Sequence, residues 1–214
     1  MYRAGLMKQF AKRLHIDQEG GVLVEATVML VIMLVFVLGC IDFLMAMYQW
    51  NSAVKAVQLG ARIAAVSSPV SSDLSTLSGL GSGVNPGDPM PAFTRTCNGA
   101  TSTCSGGTFS STALNTIVYG RGSAACGDST SFYRTGMCDV FRRVTPANVI
   151  VKYEYTGLGY AGRPGGPVPT ITVSLQNLNF QFYFLGGLMG FSNIAMPGMT
   201  TTITGEDLSS SAPP

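Results

Sequence analysis

The sequence predicts an α+β protein: a long N-terminal transmembrane helix followed by a small antiparallel-sheet ectodomain with disulfides. Three observations predict this. Residues 26–41 (ATVMLVIMLVFVLGCI) form a sixteen-residue run without a charge. Two later stretches, 148–155 and 170–184, alternate apolar and polar residues with the period of a strand. Four cysteines fall in loop-rich sequence beyond the apolar run, an even number suited to an oxidising compartment.

Only 11% of the residues are charged, against about 25% in a typical soluble domain. The formal net charge is +2 and the longest basic run is Arg142-Arg143. Binding to a phosphate backbone needs clustered Lys and Arg, so no nucleic-acid partner is expected. The surplus is local. Residues 1–20 hold Arg3, Lys8, Lys12 and Arg13 against Asp17 and Glu19, and the rest of the chain balances nine bases with nine acids. A basic segment before an apolar run places the N-terminus on the cytoplasmic side.

The apolar helix is read over residues 22–47. Its length is about 39 Å at 1.5 Å per residue, more than the roughly 30 Å of hydrocarbon in a bilayer. Glu25 and Asp42, about 25 Å apart on that rise, fall near its opposite boundaries, with Asp42 marking the membrane exit. A buried helix of a soluble enzyme rarely stays apolar on every face for so long. Residues 48–66 continue in helix, with Val54, Val57 and Ala61 at helical spacing, and Ser67-Ser68-Pro69 ends it.

The remaining chain divides by composition. In residues 67–91, fifteen of the 25 are Ser, Gly or Pro, the composition of a linker unable to bury a core. Residues 92–208 make the expected periplasmic domain, and 209–214 read as a disordered tail. Of the three possible connectivities of Cys97, Cys104, Cys126 and Cys138, the local one, 97 with 104 and 126 with 138, is favoured. Loop entropy assigns these bridges about 2.5 and about 3 kcal/mol. Zinc is disfavoured because no Cys-x-x-Cys pair occurs and the only histidine is His15 in the leader.

Residues 148–155 set Val149, Val151, Tyr153 and Tyr155 on one face of a strand, against Ile150, Lys152 and Glu154. In 170–184 the apolar phase is odd through Ile171, Val173 and Leu175 but even from Leu178 to Phe184, which requires a bulge or break near Gln176-Asn177. The Gly- and Pro-rich residues 157–169 join the two runs as an irregular hairpin. Shorter strands are expected at 116–119 and 200–204, and a helix around 133–143.

No enzyme motif is present and no cofactor is expected. With His15 in the leader, the remainder has no histidine for a nucleophile system or an imidazole-based metal site. The glycines at 79, 81 and 83 lack the Gly-Lys-Ser/Thr ending and preceding strand of a phosphate loop. The carboxylates Glu206 and Asp207 read as a solvated chain end.

The leader and helix carry a more specific pattern. Residues 1–20 are short and basic and end in Gly20. The following Gly21-Val22-Leu23-Val24-Glu25 would place Glu25 fifth after a cut between Gly20 and Gly21. This resembles a type IV prepilin processing site. Val24-Glu25-Ala26, Gly39-Cys40-Ile41-Asp42-Phe43 and Gly60-Ala61-Arg62-Ile63-Ala64-Ala65 together resemble the TadE-like family of tight-adherence (Tad/Flp) pilus systems. Ala26 and Ile63 stand where that family commonly has aromatics. The resemblance spans about residues 20–66 and implies a pseudopilin, a minor pilin-like subunit, because the mature product would be far longer than the major Flp pilin. It implies processing by a prepilin peptidase at the bacterial inner membrane, and association with other pilus subunits and an inner-membrane assembly platform. Incorporation into a surface pilus is one outcome, and residence in the lipid bilayer as a single-pass protein the other. Near a neighbour's new α-amino group, Glu25 would neutralise that charge and set the stagger between helices.

Two rivals use other features. Val37-Leu38-Gly39-Cys40 imitates a lipobox with Cys40 lipidated, giving an anchored periplasmic binding or surface protein. Against it, Glu25 interrupts the leader and apolar sequence runs on past Cys40. An uncut signal-anchored protein is the other, and a membrane-tethered enzyme lacks a nucleophile or base.

Overall fold

The computed structural model describes residues 19–81, 83–127, 135–189, 194–206 and 208. The leader up to residue 18, residues 133–134 of the expected helix around 133–143, and the tail 209–214 lie outside the described residues. The chain forms two compact units, Met1–Ala46 with Gln181–Ser192, and Met47–Phe180 with Asn193–Pro214.

The first helix, α1, runs Glu19–Ala65, matching the sequence reading to within three residues at the start and one at the end. Its residues 20–34 are all exposed. From Gln49 onward one face is buried by Ser52, Ala53, Ala56, Val57, Gly60, Ala61, Ala64 and Ala65. That spacing is the three-and-four alternation of a helix stripe, built almost wholly of small residues. Its last turn is capped from outside: the Ala65 carbonyl accepts the Glu206 N–H at 3.1 Å, and the Val66 carbonyl accepts Arg121 Nη2 at 2.7 Å. These bonds satisfy carbonyls that a helix end leaves without partners.

The small face of α1 joins the core behind a five-stranded antiparallel sheet of order β2-β1-β3-β4-β5. The strands are β1 (Thr94–Asn98), β2 (Thr103–Cys104), β3 (Val149–Glu154), β4 (Thr170–Leu175) and β5 (Met199–Thr204). One register line runs Cys97, Val151, Val173, Thr201, and the next Arg95, Tyr153, Ile171, Ile203. Val149, Val151 and Tyr153 of β3 and Ile171, Val173 and Leu175 of β4 are buried, so the period-two pattern read from the sequence is the pattern of the core. On the opposite face Lys152 and Glu154 form an ion pair. Cys97 is bonded to Cys104, its partner in the β1–β2 register, and Cys126 to Cys138.

Several expectations are corrected. The strand expected at 116–119 is the end of helix α2 (Ser111–Tyr119). The Ser110 hydroxyl caps it by accepting the Ala113 N–H, and Ala113, Leu114, Ile117 and Val118 bury one face. Here helical spacing and a cap outweigh the strand preference of Ile117 and Val118. The helix expected around 133–143 is, within the described residues, the single turn α3 (Met137–Val140), which stops where Phe141 takes an extended conformation.

Residues 67–91 do contribute to the core, contrary to the linker reading: Val70, Leu74 and Met90 are buried. Their backbone is held by the 157–169 loop, with Gly87 N–H to Ala161 O at 2.9 Å, Ala161 N–H to Asp88 O at 2.8 Å and Gly162 N–H to Ser78 O at 2.7 Å. Backbone bonding anchors what composition alone would leave free.

The strand-like run 170–184 breaks where the phase slip demanded. β4 ends at Leu175, and Asn177 adopts a left-handed φ of 55°. Leu178 and Phe180 then pair with Met196 and Ile194 in a narrow hairpin. Phe182 and Phe184 are not in a strand. The chain turns instead into a short helix, α4 (Leu185–Met189), whose first amides find a partner described below.

Candidate functional site

The features that the sequence singles out for function lie mainly on α1. Gly20 and Gly21 are exposed, and a Cβ on either would meet nothing within 4 Å. Glu25 is exposed one turn further on, amid exposed Val22, Leu23, Val24, Val28 and Met29. Nothing in the described chain therefore requires glycine at 20–21 or a carboxylate at 25.

Gly60 is different. Buried Met137 fills the space a Cβ there would need, and Ala61, Ala64 and Ala65 are buried beside it while Arg62 is exposed. The Gly-Ala-Arg-Ile-Ala-Ala signature is thus explained by packing within the chain, and the Gly20 to Glu25 signature is not.

Asp42, read from the sequence as the acid at the membrane exit, has partners within the chain that the sequence did not indicate. It is fully buried, in a helix whose neighbouring Phe43 and Leu44 are exposed. Its Oδ1 accepts the Tyr183 N–H at 2.9 Å, and its Oδ2 accepts the N–H groups of Phe184 at 3.0 Å and Leu185 at 2.6 Å. These are donors that the start of α4 leaves unpaired. A charged acceptor makes such bonds stronger than neutral ones. Beside this cap, Leu185 sits 3.7 Å from where a Cβ on Gly39 would be. Sequence reasoning missed residues 183–185. A signal was available: no charged residue occurs between Arg163 and Glu206, and the apolar density of that interval peaks at Phe180-Gln-Phe-Tyr-Phe-Leu.

The helix is long and apolar enough to cross a membrane. Among the described residues no group of three or more His, Cys, Asp or Glu is placed to hold a metal ion. Cys40 is a free, exposed thiol inside the apolar helix.

The decisive comparison is with protein families. Residues 20–62 match the TadE-like protein family. The matched segment starts at Gly20 and takes in Glu25, Asp42 and Gly60. Comparison with the curated proteins and with the solved structures gives no match. The TadE-like match points to a Tad pilus-related protein, and the family implies association with other pilus components. Among the described residues one helix, near the N-terminus, is apolar enough to cross a membrane, which fits a single-pass membrane protein in such a system.

Proposed function

We propose that the protein is a minor pilin-like subunit, a pseudopilin, for assembly of a tight-adherence Flp-type pilus. In this reading a prepilin peptidase cuts between Gly20 and Gly21 at the bacterial inner membrane. The helix then holds the protein in the membrane with its C-terminal domain in the periplasm, next to other pilus subunits and the assembly platform. Glu25 pairs with the new α-amino group of a neighbour.

One observation carries this reading: the TadE-like segment opens with Gly20, Gly21 and Glu25, which have no packing role in the described chain. A peptidase requires a small residue at the scissile bond, and an assembling helix bundle in lipid gains from pairing a charge that is expensive unpaired. The two disulfides support the periplasmic placement, since such bonds persist in oxidising compartments.

Mass spectrometry of the N-terminus of the membrane-extracted protein tests the proposal. A mature chain starting at Gly21, and an uncut chain in a Gly20→Arg variant, are expected. A lipidated Cys40 or an uncut wild-type chain would overturn it.

A further inference from the structure

We infer that residues 181–187 form a second membrane contact: a loop that dips into the leaflet where α1 exits, latched to the helix by Asp42. The occupant of its apolar surface is the acyl-chain and headgroup boundary of the bilayer. The inference rests on α1 spanning a membrane, and not on the pilus role.

The first observation is the surface. Tyr183 is 62% exposed and Phe184 44% exposed. Beside them an open groove of about 610 Å³ lies between α1 and the loop, lined by Phe36, Gly39, Phe43, Phe182 and Leu185. Loops of soluble domains seldom carry such apolar density, and Tyr beside Phe is the composition of a membrane–water interface.

The second is depth. Leu185 lies by Gly39, and Gly187 borders a hollow shared with Val35 and Leu38. Val35 precedes Asp42 by seven residues, so the loop descends alongside α1 by about 10 Å below Asp42. If Asp42 stands at the hydrocarbon boundary, that stretch of loop is inside the leaflet.

The third is hydrogen bonding. A non-helical turn at membrane depth is tolerated only where its backbone groups are satisfied by protein. The Asp42 carboxylate does this for three successive amides, Tyr183, Phe184 and Leu185. A carboxylate buried on an otherwise lipid-facing helix is costly without such donors. Each feature therefore answers the other's cost: the amides hold the charge, and the charge closes the turn.

The test uses the full-length protein in phosphatidylethanolamine/phosphatidylglycerol vesicles carrying a phospholipid with a photoactivatable carbene group in its acyl chain. Adducts are mapped by mass spectrometry of peptides. Adducts on 181–187 as well as on 22–47 are expected. Adducts on 22–47 alone would overturn the inference, showing that the loop faces water or another protein. Absence of adducts on 22–47 would instead refute the spanning reading beneath it. In an Asp42→Ala variant with both disulfides verified intact, adducts on 181–187 should be lost while those on 22–41 persist. Unchanged adducts there would overturn the latch.

Discussion

Buried Met137 occupies the space that a side chain at Gly60 would fill, so helix α1 meets the ectodomain core backbone to thioether. On either side Ala56, Ala61 and Ala64 continue the same small surface. The close approach is possible only because this stripe of the helix has almost no side chains.

A Gly60→Val substitution should therefore destabilise the ectodomain by about 1–3 kcal/mol, the usual cost of overpacking a filled core. Gly60→Ala should cost less, since Met137 can shift its flexible chain and the helix gains about 1 kcal/mol of propensity. Thermal unfolding of the detergent-solubilised protein measures both. Adding Met137→Ala to Gly60→Val should restore part of the loss, because contacting residues couple. An unshifted midpoint in Gly60→Val would show that the contact is not tight.

Tyr153 supplies a pH signature. It is fully buried, and its hydroxyl accepts the Val70 N–H at 3.0 Å. Burial raises its pKa above the ordinary 10.0, and the bond from Val70, which favours the phenolate, only partly opposes this. The unfolded chain thus releases the proton first. The associated stability is complete below pH 10 and declines above it, by about 1.4 kcal/mol per pH unit, up to the folded-state pKa. Urea titrations from pH 9 to 11, in a Cys40→Ser background to avoid thiol exchange, should show that decline. Tyr153→Phe should flatten it, and at neutral pH should cost about 1–3 kcal/mol by leaving the Val70 amide unpaired. The same slope in both proteins would assign the dependence to another group.

Glu25 should matter for assembly and not for folding. The exposed carboxylate makes no contact that Glu25→Ala would break in the described chain, and the run beyond it is apolar enough to insert unaided. Disulfides and membrane fraction should be unchanged in that variant. If Glu25 pairs with a neighbour's amino terminus, truncation costs about 3–5 kcal/mol, over a hundredfold in association. Crosslinking to pilus components and counts of surface fibres measure this. Normal fibres would remove the pairing role, and loss from the membrane would move Glu25 to biogenesis.

How much of the molecule was legible depended on how local its causes are. Helix α1 could be read from residues 22–66 because hydropathy and a 3.6-residue period are properties of neighbouring positions, and Ser67-Ser68-Pro69 ends it locally. β3 and β4 could be read because Val149, Val151 and Tyr153, and Ile171, Val173 and Leu175, alternate strictly, and β5 from its run of β-branched Thr and Ile. β1 offered only Cys97 as a buried residue among TRTCN, and it is a strand because β3 pairs with it across more than fifty residues. The TadE-like pattern, including Glu25, was also legible, being a contiguous motif.

What the tertiary structure decided was the fate of groups whose partners are distant in the chain. Val70, Leu74 and Met90 are buried in a Ser/Gly/Pro-rich segment whose backbone is bonded by distant residues, Tyr153 and Ser110 at Val70 and the 157–169 loop at Ser78, Gly87 and Asp88. Asp42 is a cap and not merely a boundary charge because the amides of Tyr183, Phe184 and Leu185 reach it across some 141 to 143 residues. A sequence window registers which residues prefer water or a given backbone shape. It carries no record of which distant amide will meet a carboxylate, since that is set only when the whole chain has closed its core.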